Sequence, residues 1–248
     1  MLGQNVNAWH GSGSDGKEWG LGRLIYALAE LPELERIRYT TSHPLDMDDE
    51  LIRAHAEVGK LMPYLHLPIQ SGSDRILQNM NRRHTASQYL AIIDRLRSVR
   101  EDIAMSGDFI VGFPGETDKD FADTLSLIDK VGYASAYSFK YSIRPGTPAA
   151  SKIEQVPEEI KSERLASLQQ LLNSQQFAFN KNCENTVFDV LVDQKAGREG
   201  QLNARTPYMQ SVYFEGPVSL IGKIVKVKVS NSRLNSLSAD IFCQKEAI

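Results

Sequence analysis

Two histidines stand where chemistry is often found, at the ends of short extended runs. His43 lies in the segment TTSHP and His66 in the segment YLHLPIQ. Imidazole titrates near neutral pH, so either residue is a candidate acid, base or metal ligand. No cysteine, paired carboxylate or second histidine stands at ligand spacing, which argues against a zinc site. A structural hydrogen-bonding role is the favoured interpretation for both. Asp108 and Glu116 form no clear pair with them, so no catalytic residue is assigned.

The segment IVGFPGET, residues 110–117, is a second candidate, because an apolar run ends there in a glycine-proline-glycine turn. It lacks the lysine and hydroxyl of a P-loop and the glycine spacing of a dinucleotide-binding turn. Glu116, Asp118 and Asp120 occupy the start of the following helix, where they complement its dipole and repel phosphate. Glycines let a planar ligand approach the backbone closely. The segment therefore predicts either a turn that closes on such a ligand or a plain connection.

The elements predicted to position these loops alternate between strand and helix. Extended apolar runs predict five strands: Leu2–Val6, Arg36–Thr41, Tyr64–Ile69, Ile103–Phe113 and Ala134–Ile143. Periodic apolar residues predict the intervening helices: Lys17–Leu31, Met47–Leu61, Asp74–Asn81, Ala86–Arg100 and Asp118–Val131. Ser73 and Thr117 are predicted N-caps. This order is typical of a parallel α/β sheet, in which functional residues gather after the strands.

The last part of the chain has a different pattern. A long helix is predicted from about Pro157 to Asn180, and short β-type runs broken by glycine, proline, asparagine and serine follow it. Several closely spaced strands in about 65 residues predict a small antiparallel barrel of the OB-like kind.

Cations are clustered locally although the net charge of −3 does not indicate a nucleic-acid-binding protein. The candidate RNA-binding residues are Arg82, Arg83, Lys223, Lys226, Lys228 and Arg233. The terminal cations are interleaved with Tyr208, Tyr213 and Phe214, and alternation places Lys226 and Lys228 on one face of a strand. That face is either a solvated surface or a nucleic-acid-binding surface that combines phosphate contacts with base stacking.

The remaining composition is that of an ordinary soluble protein. The two cysteines, Cys183 and Cys243, have no disulfide or metal-site spacing, and they predict structural thiols in a reducing compartment. The sequence shows no signal peptide and no apolar run of membrane-spanning length. A cytoplasmic protein without a membrane partner is expected.

Five ordered motifs resemble the radical S-adenosylmethionine (SAM) methylthiotransferases: LGQNVNAW, RIRYTTSHP, LHLPIQSGSDRILQNMNRRHT, GDFIVGFPGET and FKYSIRPGTPAA. Within that family, the chain is most similar to the tRNA-2-methylthio-N6-dimethylallyladenosine synthases, the MiaB type. The segment ending in NSRLNSLSADIF resembles the family's TRAM domain, a small RNA-binding β-barrel. The resemblance covers essentially the whole chain, and five ordered motifs are more specific than any one alone.

The resemblance implies a partial TIM-type (radical SAM) barrel at residues 1–156, a connecting helix at 157–182 and a TRAM barrel at 183–248. It places SAM across the strand ends, in contact with Gln4, Asn5, Ser42, Gln70, Ser71, Asp108, Gly112, Glu116 and Arg144. The implied substrate is tRNA, methylthiolated at C2 of N6-isopentenyladenosine 37 in the anticodon loop. The implied chemistry cleaves SAM to a deoxyadenosyl radical and requires a 4Fe-4S cluster held by thiolates.

The sequence departs from the family's pattern at the cluster. The family's CxxxCxxC loop belongs just before LGQNVN, and this sequence contains neither that loop nor the first barrel strand. Cys183 and Cys243 lie too late in the chain to replace it. We therefore expect a C-terminal fragment, monomeric, without metal ligands and inactive alone. The alternatives are a relative acting on threonylcarbamoyl-adenosine or on a ribosomal protein, an RNA-binding module only, and an unrelated α/β-barrel enzyme with an acid–base site.

Overall fold

The structure is a computed structural model in which residues 1–243 are described, so residues 244–248 of the predicted TRAM range lie outside the described part. The chain divides into two compact units, Met1–Leu172 and Asn173–Ile248. Each unit has its own hydrophobic core. The predicted α/β class, followed by a small barrel, is confirmed. No helix among the described residues is long and apolar enough to cross a membrane.

The first unit contains a β-hairpin, five helices and a small sheet. Its elements are β1 His10–Ser12, β2 Glu18–Gly20, α1 Leu21–Ala29, α2 Asp49–Glu57, β3 Tyr64–His66, α3 Asp74–Asn79, α4 Ala86–Val99, β4 Ala104–Val111, α5 Asp118–Val131 and β5 Ser135–Lys140. Strands β3, β4 and β5 are parallel, and β4 lies between the other two. Alternate residues of β4, among them Phe109 and Val111, are buried in the core with α4 and α5.

Two of the five predicted strands do not form, and the other three are shorter than predicted. Residues 2–5 are irregular and lead into a 3-10 helix, Val6–Ala8, and the run Arg36–Thr41 is reduced to an isolated parallel bridge between Ile37 and Leu61. Thr41 has a φ of 64°, which turns the chain out of the extended conformation and ends the run. In the first unit, the predicted partial barrel is therefore a three-stranded sheet, with isolated β-bridges beside it.

The first predicted helix begins later than expected because residues 10–20 form the β1–β2 hairpin. The indole of Trp19 lies over Gly13, where a Cβ atom would come within 2.0 Å of its Nε1. Trp9 covers Gly11 in the same way, at 2.5 Å. The tryptophans therefore use the space that glycine leaves, and the helical pattern starts only at Leu21.

Both predicted helix N-caps are confirmed. The Ser73 hydroxyl accepts a hydrogen bond from the backbone N–H of Ile76 at the start of α3. Thr117 forms a reciprocal capping box with Asp120 at the start of α5. These caps fix the ends of the loops that follow β3 and β4.

The second unit is a closed five-stranded barrel. Its strands are β6 Val187–Lys195, β7 Gln201–Arg205, β8 Ser211–Glu215, β9 Ile224–Ser232 and β10 Leu237–Ile241. The order around the barrel is β10-β8-β7-β6-β9, and the β8–β10 pair is parallel while the other pairs are antiparallel. The barrel is therefore mixed rather than wholly antiparallel, because β10 lies between β9 and β8 and runs parallel to β8.

The long helix α6, Glu158–Asn182, belongs to both units and is not a separate connector. Leu168 and Leu172, in its first part, are buried in the core of the first unit. Phe179, near its end, packs against the core of the barrel unit. Different stretches of one helix thus complete two different cores.

Candidate cofactor and RNA sites

The sheet of the first unit has one surface that its helices do not cover. Residues on a strand alternate between faces, and the neighbours of Phe109 and Val111 therefore point away from the buried core. We call this surface the open face, and its residues are His66, Ser106, Asp108, Ile110, Tyr137 and Phe139. Strand register places Asp108 opposite Tyr137, and Ile110 opposite Phe139.

His66 is held on the open face by its neighbours. Its Nδ1 lies 3.1 Å from the Ser106 hydroxyl, and its Nε2 lies 3.6 Å from Oδ2 of Asp108. The Tyr137 ring meets the imidazole edge-on, with centroids 6.4 Å apart. The predicted hydrogen-bonding role of His66 is consistent with these contacts, which also orient the Asp108 carboxylate.

A cavity of about 870 Å³ opens at the carboxyl end of the sheet. This volume lies in the range of small-molecule sites. Its lining includes Gln70, Arg82, Ile110, Phe113, Phe139 and Arg144. Gln70 adopts a φ of 81°, while its backbone N–H donates to Asp108 O and its carbonyl accepts from Ile110 N–H, both at 2.9 Å. These bonds tie the loop after β3 to β4.

Arg82, one of the predicted RNA-binding residues, lies in the lining of this cavity. Its guanidinium is half-buried and makes no hydrogen bond or ion pair within residues 1–243. Burial lowers the pKa of Arg82, and the charge of nearby Asp108 partly opposes that effect. A desolvated cation without a bonded counter-ion favours an anionic ligand. Arg83, the next residue, is exposed as predicted.

The segment IVGFPGET is fixed by a buried ion pair that the sequence did not predict. Oε1 of Glu116 accepts from Gly112 N–H at 2.9 Å and from Nη1 of Arg164 at 2.8 Å. Nη2 of Arg164 also donates to Oδ1 of Asp118 at 2.7 Å. The side chains of Arg164 and Glu116 are only 8% and 2% exposed. Burial raises the pKa of Glu116, although the Gly112 amide and Arg164 act in the opposite direction.

Gly112 is a position that needs glycine. It has a φ of 70°, and a Cβ atom there would lie 2.3 Å from the side chain of Lys161 on α6. Helix α6 thus fills the side of the turn away from β4. The Glu116 carboxylate and the Gly112 amide are engaged within the protein, so they shape the loop rather than present free groups to the cavity.

The remaining predicted cofactor-binding residues differ in exposure and in the contacts that their side chains make. Gln4 is exposed, and Asn5 donates from its amide to Oδ2 of Asp46 at 2.7 Å. Ser42 lies beside His66, with a buried hydroxyl that has no hydrogen-bond partner among the described residues. Ser71 faces the interior instead, where its hydroxyl lies 3.3 Å from that of Thr124 on α5. Ser71 is therefore not brought to the cavity by its side chain.

Two further histidines, His43 and His84, lie close together near Arg82. The rings of His43 and His84 meet edge-on, with centroids 5.4 Å apart. Burial lowers the pKa of His84 to about 4, and the charges of His43 and Arg82 act in the same direction. His43 accepts from the Leu45 N–H at 3.3 Å and begins a 3-10 helix, Pro44–Asp46. This is the structural role that the sequence favoured for His43.

Predicted RNA-binding residues of the barrel lie on its surface. Lys223, Lys226, Lys228 and Arg233 are all exposed. On the other face of β9, Val227 is buried, as alternation predicted, and Val225 is half-buried. Lys226 pairs with Asp189 at 3.2 Å. Phe214 is only 2% exposed and belongs to the barrel core, so it is not available for stacking. Tyr208 instead packs edge-on against Phe179 and Phe188.

The face of β7 and β8 carries two residues that the sequence patterns did not single out, Asn203 and Arg205. Asn203 lies opposite Tyr213 across this strand pair. Its Oδ1 is buried and has no hydrogen-bond partner among residues 1–243. Arg205, on the same strand face, pairs with Asp193 at 3.0 Å. Alternation along β7 was visible in the sequence, but a polar side chain buried on an outer face was not.

No cluster of metal ligands is found in the described part of the chain. Cys183 is buried, and burial raises the pKa of its thiol, although a hydrogen bond from Gln210 partly opposes that effect. Cys243 is exposed. Two cysteines in the whole sequence do not supply the thiolates that a 4Fe-4S cluster needs.

Comparison with known proteins agrees with this two-part organisation. Residues 7–128 match the model of the radical SAM superfamily, and residues 181–242 match that of the TRAM domain. Among solved structures, coproporphyrinogen III oxidase (HemN) from Escherichia coli, a radical SAM enzyme, is similar over 75% of this chain with a TM-score of 0.49 and 14% identity. The radical SAM methyltransferase TsrM from Kitasatospora setae is similar over 73%, with a TM-score of 0.42 and 13% identity.

This chain spans only 50% of the length of the oxidase and 30% of that of the methyltransferase. The two family matches cover most of the chain, and each falls largely on one structural unit: the parallel sheet on the first and the closed barrel on the second. The chain therefore contains a region similar to the radical SAM superfamily, residues 7–128, followed by a region similar to the TRAM domain, residues 181–242.

Proposed function

We propose that this chain is the SAM-binding and RNA-binding part of a tRNA-modifying enzyme, one that methylthiolates C2 of N6-isopentenyladenosine 37. The observation that carries the proposal is the order of a radical SAM domain and a TRAM domain in one chain. The five motifs quoted above favour the isopentenyl-adenosine branch of the methylthiotransferases. Its implied partner is the tRNA anticodon loop, and its implied compartment is the cytoplasm.

The strand-end cavity fits SAM by its chemistry. SAM carries a carboxylate, an ammonium group and ribose hydroxyls, which need a cation and hydrogen-bonding groups. Arg82 and Arg144 supply cations, Gln70 supplies an amide, and Asp108 supplies an acceptor beside Arg82. We propose Arg82 for the SAM carboxylate, in place of the RNA contact first assigned to it.

In this proposal, further residues of the chain contact the ligand or hold the neighbouring loop in place. Gln4, Asn5 and Ser42 are assigned to SAM by the resemblance, and the unpartnered Ser42 hydroxyl beside His66 is a candidate donor to the ligand. Gly112 and Glu116 hold the turn after β4 in place through Arg164. When bound beside a reduced iron-sulfur cluster, SAM supplies the radical chemistry of the superfamily. Because this sequence lacks the cluster thiolates, no reaction step is assigned to the chain alone.

SAM binding is tested with S-adenosylhomocysteine and isothermal titration calorimetry. Removing a charge-assisted hydrogen bond costs roughly 1.5–3 kcal/mol, so Arg82→Met is expected to weaken binding about tenfold or more. Arg83→Met is the matched control, because it removes the neighbouring, exposed guanidinium and leaves the cavity intact. Equal affinities for wild type and both variants would contradict the assignment of Arg82.

The proposed inactivity of the chain alone has its own measurement. Anaerobic reconstitution with iron and sulfide, followed by visible absorption, is expected to yield no stable cluster, because Cys183 and Cys243 do not form a cluster loop. A stable absorption signal from a four-iron cluster would contradict the proposed inactivity of the chain alone. If the chain binds RNA but not S-adenosylhomocysteine, the alternative of an RNA-binding module is favoured.

A further inference from the structure

Two aromatic rings on the open face are unusually exposed. Tyr137 and Phe139 lie on β5, and 62% and 54% of their surfaces are accessible. The alternate residues point the other way: Ala136 packs against the core, and Lys140 pairs with Glu158 of α6. Large aromatic side chains contribute most when they are buried, so two of them standing side by side on one strand face mark a binding surface.

The spacing of the two rings suits a flat ligand. Residues two apart on a strand have Cα atoms about 6.6 Å apart, and both side chains point to the same side. That distance is close to twice the carbon–carbon contact distance of about 3.5 Å. A single planar ring system can therefore touch both side chains at once.

The groups around Phe139 are those that recognise a nucleotide. The cavity wall that includes Phe139 also contains the amides of Gln70, Asn79 and Asn81, which can donate to and accept from a base edge. Arg82 and Arg144 supply positive charge to the same wall. Aromatic rings beside amides and arginines are the combination that binds single-stranded nucleic acid.

We propose that Tyr137 and Phe139 form the stacking site for a purine base of the RNA substrate, unpaired and turned into the open face. This inference rests on the proposed function, because it names the residues that receive the substrate base. Stacking on Tyr137 places the base next to His66 and Asp108, which then limit which base edge fits. The adenine of SAM has the same chemistry, and the experiment below separates the two sources.

A double-mutant cycle between protein and RNA tests the inference. The affinity of the full 248-residue chain for a fluorescently labelled anticodon stem-loop is measured by anisotropy. One RNA carries adenosine at position 37, and the other carries an abasic site there. Base–aromatic stacking is worth about 1–3 kcal/mol per base, so wild type is expected to bind the abasic RNA roughly tenfold more weakly. The double variant Tyr137→Ala/Phe139→Ala is expected to bind both RNAs with nearly the same affinity.

Two controls keep the result specific. Tyr137→Phe retains the ring and is expected to keep the base-dependent difference. Phe177→Ala removes an aromatic residue that is 46% exposed on α6 in the other unit, and it is expected to behave as wild type. Circular dichroism checks that each variant is folded. We expect the double variant to fold because Tyr137 and Phe139 are both exposed.

Three outcomes would overturn the inference, and they are distinguishable. If the double variant discriminates the two RNAs as strongly as wild type, the base does not stack there, although RNA binding stands. If saturating S-adenosylhomocysteine abolishes discrimination by wild type, the rings hold the adenine of SAM instead. If wild type binds neither RNA, the proposed function fails together with the inference.

Discussion

The two units of this chain use their cations in opposite ways. In the first unit, Arg164 is buried and bonded to two carboxylates, those of Glu116 and Asp118. In the barrel unit, Lys226 forms a single pair with Asp189, and the side chains are 59% and 52% exposed. A buried charge is costly unless it is fully bonded, whereas water screens an exposed one. The first unit therefore uses charge to fix a loop, and the second leaves its lysine charges at the surface.

Aromatic side chains show the reverse distribution. Phe214 on β8 is 2% exposed and fills the barrel, whereas Phe139 on β5 is 54% exposed. Both residues stand on strands with alternating patterns, so the pattern alone does not distinguish them. The closed barrel encloses its inner face, while the three-stranded sheet leaves one face open. Closure of the sheet therefore decides whether an aromatic residue on such a face is buried or exposed.

Replacing Arg164 is expected to have the largest effect on stability, and it tests the contrast between buried and exposed charges in the two units. Arg164→Met leaves Glu116 buried without its partner, and a loss of about 3–5 kcal/mol in the free energy of unfolding of the first unit is expected. Urea unfolding followed by tryptophan fluorescence measures it, because both tryptophans, Trp9 and Trp19, lie in that unit.

The matched control is Lys226→Met, for which a loss of less than about 1 kcal/mol is expected because its ion pair is exposed. Circular dichroism follows the unfolding of the barrel. Burial already raises the pKa of Glu116, and loss of Arg164 raises it further. The Arg164→Met deficit should therefore shrink as the pH falls and Glu116 takes up a proton. Equal losses for the two variants would mean that burial does not separate the two regions.

The next largest effect is expected at Asp120, and it depends on pH. Burial alone would raise the pKa of Asp120, but hydrogen bonds from Arg75, Ser73 and Thr117 outweigh burial and hold it well below its usual value. The stability from this depressed pKa is present above the unfolded value near 3.8, and it is lost as the pH falls toward the folded value.

Asp120→Asn is therefore expected to lower the stability of the first unit at pH 7 by about 1–2 kcal/mol and to flatten its acid dependence. Thermal melts from pH 7 to pH 2, read by tryptophan fluorescence for the first unit and by circular dichroism for the barrel, measure both effects. Asp189→Asn in the barrel is the control, and its melts should follow wild type across this range. A parallel shift of the Asp120→Asn curve at every pH would argue against the linkage.

The smallest effect on stability is expected when lysines on the barrel surface are replaced. The same change is expected to weaken RNA binding clearly. Replacing Lys226 and Lys228 with alanine should leave the melting temperature nearly unchanged, because both side chains are exposed. RNA affinity should fall at low salt, and the slope of log K against log salt should decrease by roughly one for each phosphate that a lysine no longer neutralises. An unchanged slope would assign RNA binding to another face, such as that of Asn203 and Tyr213.

Local signals in the sequence predicted much of the local structure. Ser73 and Thr117 were identified as N-caps because a side-chain oxygen at a helix start bonds the free backbone N–H groups within the same few residues. The alternation of Lys226 and Val227 predicted a strand with one buried face for the same local reason. The change from α/β to all-β pattern also predicted two kinds of unit.

The sequence alone established the change from an α/β to a β pattern, the caps, the strand faces and the shortage of cysteine thiolates, because each depends on neighbouring residues or on composition. Tertiary structure decided the rest. It brought Arg164 to Glu116, which lie 48 residues apart, and it placed Arg82 in the strand-end cavity. It also left Tyr137 and Phe139 exposed. Burial and charge pairing depend on which distant segments meet, and no local pattern contains that information.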